Sequence, residues 1–145
     1  MQSKEHELPS LILSYVCGHL VPLLLAVSVI FFWSGHNQPG GGFIGGLLAA
    51  EAVLMIVIAQ GVDAARRRMP LQPGTLVAVG FLTAAAAGLP GLILGEPFFS
   101  GQWTELTLPL LGAKIPLGTP LLFDTGVYLL VIGATLSIAF TFGEK

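Results

Sequence analysis

His19, Glu51 and Asp124 each fall inside a long apolar run of this 145-residue chain. A charge at mid-bilayer costs roughly 2.5–3.5 kcal/mol on insertion scales, so such groups almost always face a partner or a cavity. Carboxyl and imidazole groups at depth suit the stepwise handling of protons or small cations. Glu51 is expected to be protonated or paired. At 100° per residue it points away from Gly42, Gly46, Ala49 and Val53, among Leu47, Leu54, Met55 and Ile58. That direction leaves a partner subunit or hydrated cavity, a pair inside the chain, or a protonated carboxyl with no role. His19 is the internal candidate for that pair, because antiparallel neighbouring helices bring the two within about one turn in depth. Its other reading is a neutral ring satisfied by a carbonyl near Pro22. Asp124 is expected in the second turn of a helix, on a face shared with Tyr128 and Thr135. There it is either a helix-dipole stabiliser worth about 0.3–1 kcal/mol or a waypoint for a cation or proton.

The elements that must position these groups are four apolar spans, at about 11–33, 43–62, 75–94 and 121–142. A hydrocarbon core of about 30 Å needs about 20 apolar residues in a helix, and each span meets that length. The whole chain is 54% hydrophobic and 10% charged, with a mean hydropathy of +0.85. Soluble domains carry about 25% charged residues. The expected fold is therefore an all-α membrane protein, a single four-helix transmembrane domain over 1–145, with no room for a soluble catalytic domain and no enzyme activity of its own. The first span is too long for a signal-peptide core, and acidic residues dilute its leader.

Lys4, Arg66, Arg67, Arg68 and Lys145 lie at the termini or in the second connector, and only Lys114 lies elsewhere. The positive-inside rule then puts both termini and the arginine run in the cytoplasm. The glycine-rich turn and the long 95–119 loop face outward. In that loop Phe98, Phe99 and Trp103 suit the headgroup interface, and Glu105–Thr119 reads as a short extended ribbon. Thr119 is a plausible N-cap and Pro120 a first helical residue.

Between the first two spans the chain reads SGHNQPGGGFIGG. Pro39-Gly40 suits the centre of a type II turn, with Gly41 and Gly42 keeping the connection narrow. Gly40, Gly42 and Gly45 also match a dinucleotide fingerprint, with Asp63 about 20 residues on. That fingerprint requires a preceding strand, and an apolar span precedes it here, so it is rejected. Small residues recur at Gly42, Gly46 and Ala49/Ala50, at Gly80, Ala84 and Gly88, and at Gly126, Gly133 and Ser137. Such stripes let helix backbones approach closely, either within this chain or against other subunits. Cys17 has no partner for a disulfide and reads as small apolar filler. No set of oxygens has the spacing of a cation cage, no cofactor is expected, and nothing points to nucleic acid.

GHNQPGGGFIGGL at 35–47 and FDTGVYLLVIG at 123–133, with the PFF…LPLLG portion of the outer loop, resemble the MnhB/MrpB family, small subunits of the Mrp-type multisubunit Na⁺/H⁺ antiporters. The likeness covers most of the chain. It implies a small membrane subunit, without cofactor, of a larger complex in a bacterial or archaeal plasma membrane. Its partners would be the other membrane subunits and the lipid bilayer, with Na⁺ and H⁺ the ions the complex moves. It also implies a role for Asp124, within the FDTGVY motif, and a structural turn made by His36, Asn37, Pro39, Gly40, Gly41 and Gly42. Glu51 lies outside the motif. A related module occurs in ion-translocating membrane-bound hydrogenases, which stands as an alternative, as does a homo-oligomeric channel.

Overall fold

The computed structural model describes residues 3–35, 40–107 and 114–143. The expectations for His36, Asn37 and Pro39, and for the LPLLG part of the outer loop, lie outside these residues. Four helical segments are long and apolar enough to cross a membrane: Leu13–Ser34, Gly42–Gln60, Pro73–Ile93 and Thr119–Gly143.

Helix α1 (Ser3–Ser34) runs unbroken past Pro22. Helix α2 (Gly42–Gln60) stops two residues short of the expected boundary. Gly61 adopts φ 85° there and donates its N–H to the Val57 carbonyl at 2.9 Å. A left-handed residue ends a helix, and glycine takes that conformation without steric cost. The chain restarts at once as α3 (Val62–Arg68), with Arg66, Arg67 and Arg68 in its last turn, where cations complement the helix dipole.

The third span is two pieces, α4 (Pro73–Ala86) and α5 (Leu89–Ile93). Pro90 explains the break: it has no N–H for the Ala86 carbonyl, and its ring crowds that group. Ala87 and Gly88 instead donate to Thr83 and Ala85. The expected ribbon forms as strands β1 (Trp103–Thr107) and β2 (Lys114–Gly118), antiparallel, with Trp103 opposite Gly118 and Thr107 opposite Lys114. Ahead of it Phe99 holds φ 68°, and its ring meets Phe98 and Phe123 at centroid distances of 4.4 and 5.5 Å.

Helix α6 (Thr119–Gly143) follows directly. The Thr119 hydroxyl does not turn inward to its own helix as a cap. It accepts the Gln102 N–H at 3.0 Å, while the Thr119 N–H donates to the Gln102 carbonyl at 3.0 Å. This reciprocal pair fastens the base of the ribbon to the start of α6.

The long helices pack as a row in the order α1–α2–α6–α4. Chain order and spatial order therefore differ, since the last helix lies between the second and the third. Glycines make both joins to α6. A Cβ on Gly80 would lie 2.5 Å from the Leu130 nitrogen, and one on Gly133 would lie 2.7 Å from the Pro73 carbonyl oxygen. A Cβ on Gly46 would lie 2.9 Å from the Tyr128 carbonyl oxygen. The stripes read from the sequence at Gly46, Gly80, Gly126 and Gly133 are thus used inside the chain. Gly88 instead abuts the Phe98 ring. Near the arginine end Ala50, Ile56, Ala65, Leu136 and Phe140 form a buried apolar cluster. Arg66 lies over the Phe140 ring, 5.4 Å from its centroid.

Candidate functional site at the glycine turn

The glycine turn brings α1, α2 and α6 together, and it does so through backbone. Gly41 donates its N–H to the Phe31 carbonyl at 2.9 Å, and its own carbonyl accepts the Gly45 N–H at 3.0 Å. It is the N-cap of α2, with φ 93°. Gly41 carries a positive φ; the type II turn expected at Pro39-Gly40 includes Pro39, which lies outside the described residues. The hinge is the residue that both closes onto α1 and opens α2.

Asp124 lies against this hinge. Its two carboxylate oxygens would be 3.2 and 3.4 Å from a Cβ on Gly41, and a Cβ on Gly42 would run into the Asp124 backbone carbonyl. The two sequence motifs, separated in the chain by α2, the whole third span and the long loop before α6, are therefore one site. Asp124 is half-buried. Its carboxylate faces the positive end of α2, where a negative charge is stabilised by the unsatisfied N–H groups of the first turn. The start of α2 is thus a second helix end beside Asp124, in addition to its own. Among the described residues no side chain caps α2, and the carboxylate stands beside the helix start without a hydrogen bond to it.

One turn further on, Tyr128 reaches across α2 to α1. Ser28 is fully buried and donates to the Gly45 carbonyl at 2.8 Å. Its oxygen is also 2.8 Å from the Tyr128 hydroxyl. A serine hydroxyl has one proton, so with that proton on Gly45 it is Tyr128 that donates to Ser28. The Phe32 ring meets the Tyr128 ring edge-on at 5.2 Å. Ser28 and Phe32 escaped the sequence reading; Tyr128 entered it only as a face-mate of Asp124. A lone serine in an apolar helix has no pattern of its own, and only the four-residue spacing of Asp124 and Tyr128 hinted at this line of polar groups.

Glu51 and His19 are not part of this site, and they do not pair with each other. Both are exposed on the surface of the chain, not buried in it. The His19 ring Nδ1 is 3.1 Å from the Tyr15 carbonyl, and the ring lies tilted against that of Tyr15 with centroids 4.8 Å apart. His19 thus meets the carbonyl one helical turn back, not one freed near Pro22, past which α1 runs unbroken. Glu51 points away from the glycine face of α2, as the helical wheel requires, and meets no hydrogen-bonding or ionic partner among the described residues. In the loop outside the spans, Glu96 accepts hydrogen bonds from Ser100 and from Gln102 Nε2, the latter at 2.6 Å. These donors, Ser100 first, hold its carboxyl below the usual value. No cluster of three metal-ligating side chains exists among the described residues.

A row of four apolar helices, closed at one end by a glycine hinge and a carboxylate, defines a multi-pass membrane protein. Residues 12–137 match the family described as related to the MnhB subunit of Na⁺/H⁺ antiporters, and the chain belongs to that family. It is 39% identical over 122 residues to an Na⁺/H⁺ antiporter subunit of Alkalihalophilus pseudofirmus, covering 84% of each chain. It is 37% identical over 123 residues to the corresponding antiporter subunit of Bacillus subtilis, covering 85% of each. The structure is also similar to the Mrp complex from Dietzia sp., with a TM-score of 0.79 and 27% identity. That match covers 94% of this chain and 14% of the other.

Proposed function

We propose that this chain is a non-catalytic subunit of a monovalent cation (Na⁺)/H⁺ antiporter complex, a single four-helix unit that supports assembly and ion translocation for pH and sodium homeostasis. The observation that carries the reading is the joining of the two motifs: the Gly41–Gly42 hinge and Asp124 form one rigid contact. It is a structural joint with one half-buried carboxylate, too little to bind and release an ion unaided. The relatives named above are antiporter subunits, and the solved relative is an Mrp complex, which favours an antiporter over a redox-driven assembly or a homo-oligomeric channel. The proposed setting is a prokaryotic plasma membrane, with both termini and Arg66–Arg68 in the cytoplasm and the ribbon outside. Reporter fusions after Ala65 should then read cytoplasm and those after Gly101 the exterior; the reverse pattern overturns this orientation. Purified alone in liposomes, the chain should show no Na⁺-dependent proton movement, whereas its deletion should abolish salt tolerance through loss of the complex. Robust exchange by the single chain would overturn the proposal.

A further inference from the structure

Glu51 is the tenth of the nineteen residues of α2, at the middle of the span, and it faces out of the chain. The face around it has a regular spacing. Ile44, Leu47, Glu51, Leu54 and Ile58 follow one another at intervals of three, four, three and four residues. That alternation is the seam by which one helix receives another at a shallow left-handed crossing. In this chain the seam is open along most of its length: Ile44, Leu47 and Ile58 are 36, 38 and 74% exposed, while Leu54 is partly buried against the core cluster. The glycine face of α2 is spent on α1 and α6, so neither of these covers the opposite side.

Lipid is a poor occupant, because it leaves a mid-bilayer carboxyl with nothing to bond. A water-filled cavity is poor as well, because the four residues flanking Glu51 on the seam are all apolar. A helix fits both requirements, apolar along its length and polar at one level. In the solved Mrp complex the matching fold occupies 14% of its chain, so there it is continuous with a much longer stretch of polypeptide.

We propose that the Ile44–Ile58 face of α2 seats one transmembrane helix of another subunit, and that this helix brings a cationic side chain to the depth of Glu51. This rests on the reading of the chain as a subunit of a larger complex. A single charged pair within an apolar seam sets register, as a lone polar residue does in a coiled coil.

The test uses the complete complex expressed from its operon. A photo-crosslinking amino acid in place of Leu47 or Ile58 should capture the same partner subunit from both positions. Glu51→Leu keeps α2 apolar and membrane-inserted, yet should reduce co-purification of the complex by about tenfold or more, because a buried cation is left unpaired. Glu51→Lys should do the same, and exchanging the partner's cation for glutamate should restore that variant. If the wild-type chain co-purifies but neither position gives a protein adduct, the seam is overturned while the subunit reading stands. If adducts form but Glu51→Leu co-purifies at full yield, the cationic partner is overturned. If the wild-type chain does not co-purify at all, the subunit reading itself falls.

Discussion

At the glycine turn, α2 meets α6 backbone to backbone, with Gly42 on the Asp124 carbonyl and Gly46 on that of Tyr128. At the arginine end the same two helices meet through side chains, Ile56 and Ala50 packing with Leu136 and Phe140. The first kind of contact has no slack, because a carbonyl cannot rotate away as a side chain can. The second is a core in the ordinary sense, tolerant of shape but dependent on volume. One pair of helices is thus pinned at one end and padded at the other, which makes the pinned end the reference point for the chain's geometry.

That contrast can be broken hardest at Gly42. Gly42→Val places a branched side chain on the Asp124 carbonyl, and no rotamer relieves a clash at Cβ. The expected outcome is loss of the chain and the complex from native gels, rather than an intact complex with weak transport. At the padded end, Leu136→Ala removes a fully buried side chain and should cost about 2–5 kcal/mol, read as earlier thermal unfolding of the purified complex; Leu136→Met should cost less than about 1.5 kcal/mol. Equal tolerance of both ends to such exchanges would dissolve the distinction.

Smaller effects sharpen it. Ser28→Ala leaves the Tyr128 hydroxyl without its acceptor and should cost about 1–3 kcal/mol, whereas Tyr128→Phe leaves Ser28 bonded to Gly45 and should cost only about 0.5–1.5 kcal/mol. Adding Tyr128→Phe to Ser28→Ala should then restore stability, and further loss would rule out Tyr128 as the donor. Asp124→Asn keeps the shape and removes the charge facing α2, with a stability change of about 0.3–1 kcal/mol. If Asp124 is a waypoint, antiport by the intact complex should fall or its pH profile move. Unchanged activity and cation affinity would leave it the helix-end role alone.

The smallest effect is expected at Glu96. Its carboxyl is held below its usual 4.5 by Ser100 and Gln102, so the loop gains order above that value and loses it as pH falls through the lowered one. Trp103 fluorescence should change in that acidic window and stay flat between about pH 6 and 8. Glu96→Gln should abolish the acidic change.

Hydropathy made the four spans legible, and the two motifs made the turn and Asp124 stand out. Hydropathy is a property of single helices, so it carries no information on which neighbours which. The small-residue stripes marked close contacts without naming the opposite helix, and the place of α6 between α2 and α4 was not readable. The break after Ala86 was readable in principle, since Pro90 forbids the hydrogen bond there. Gly61 was less so, because an isolated glycine at the end of an apolar run ends a helix only when the next residues can start another. Glu51 was the reverse case: its direction followed from the helical wheel alone, because one face of α2 is nearly all glycine and alanine.

The interleaved order of the row has a consequence for how the protein is made. Helices α2 and α4 enter the membrane before α6 exists, and each exposes to lipid the glycine-lined groove that α6 will fill. At roughly 5–20 residues per second, α2 waits on the order of ten seconds for its neighbour to emerge from the ribosome. By then the α1–α2 hairpin, in which Gly41 bonds to Phe31 in the complete fold, has all its residues, whereas α4 has no companion until α6 arrives. A chain that ends early has no joint between its first half and its second. Folding of the four-helix row therefore waits on α6, and is decided by whether that helix finds the slot between two that have already arrived.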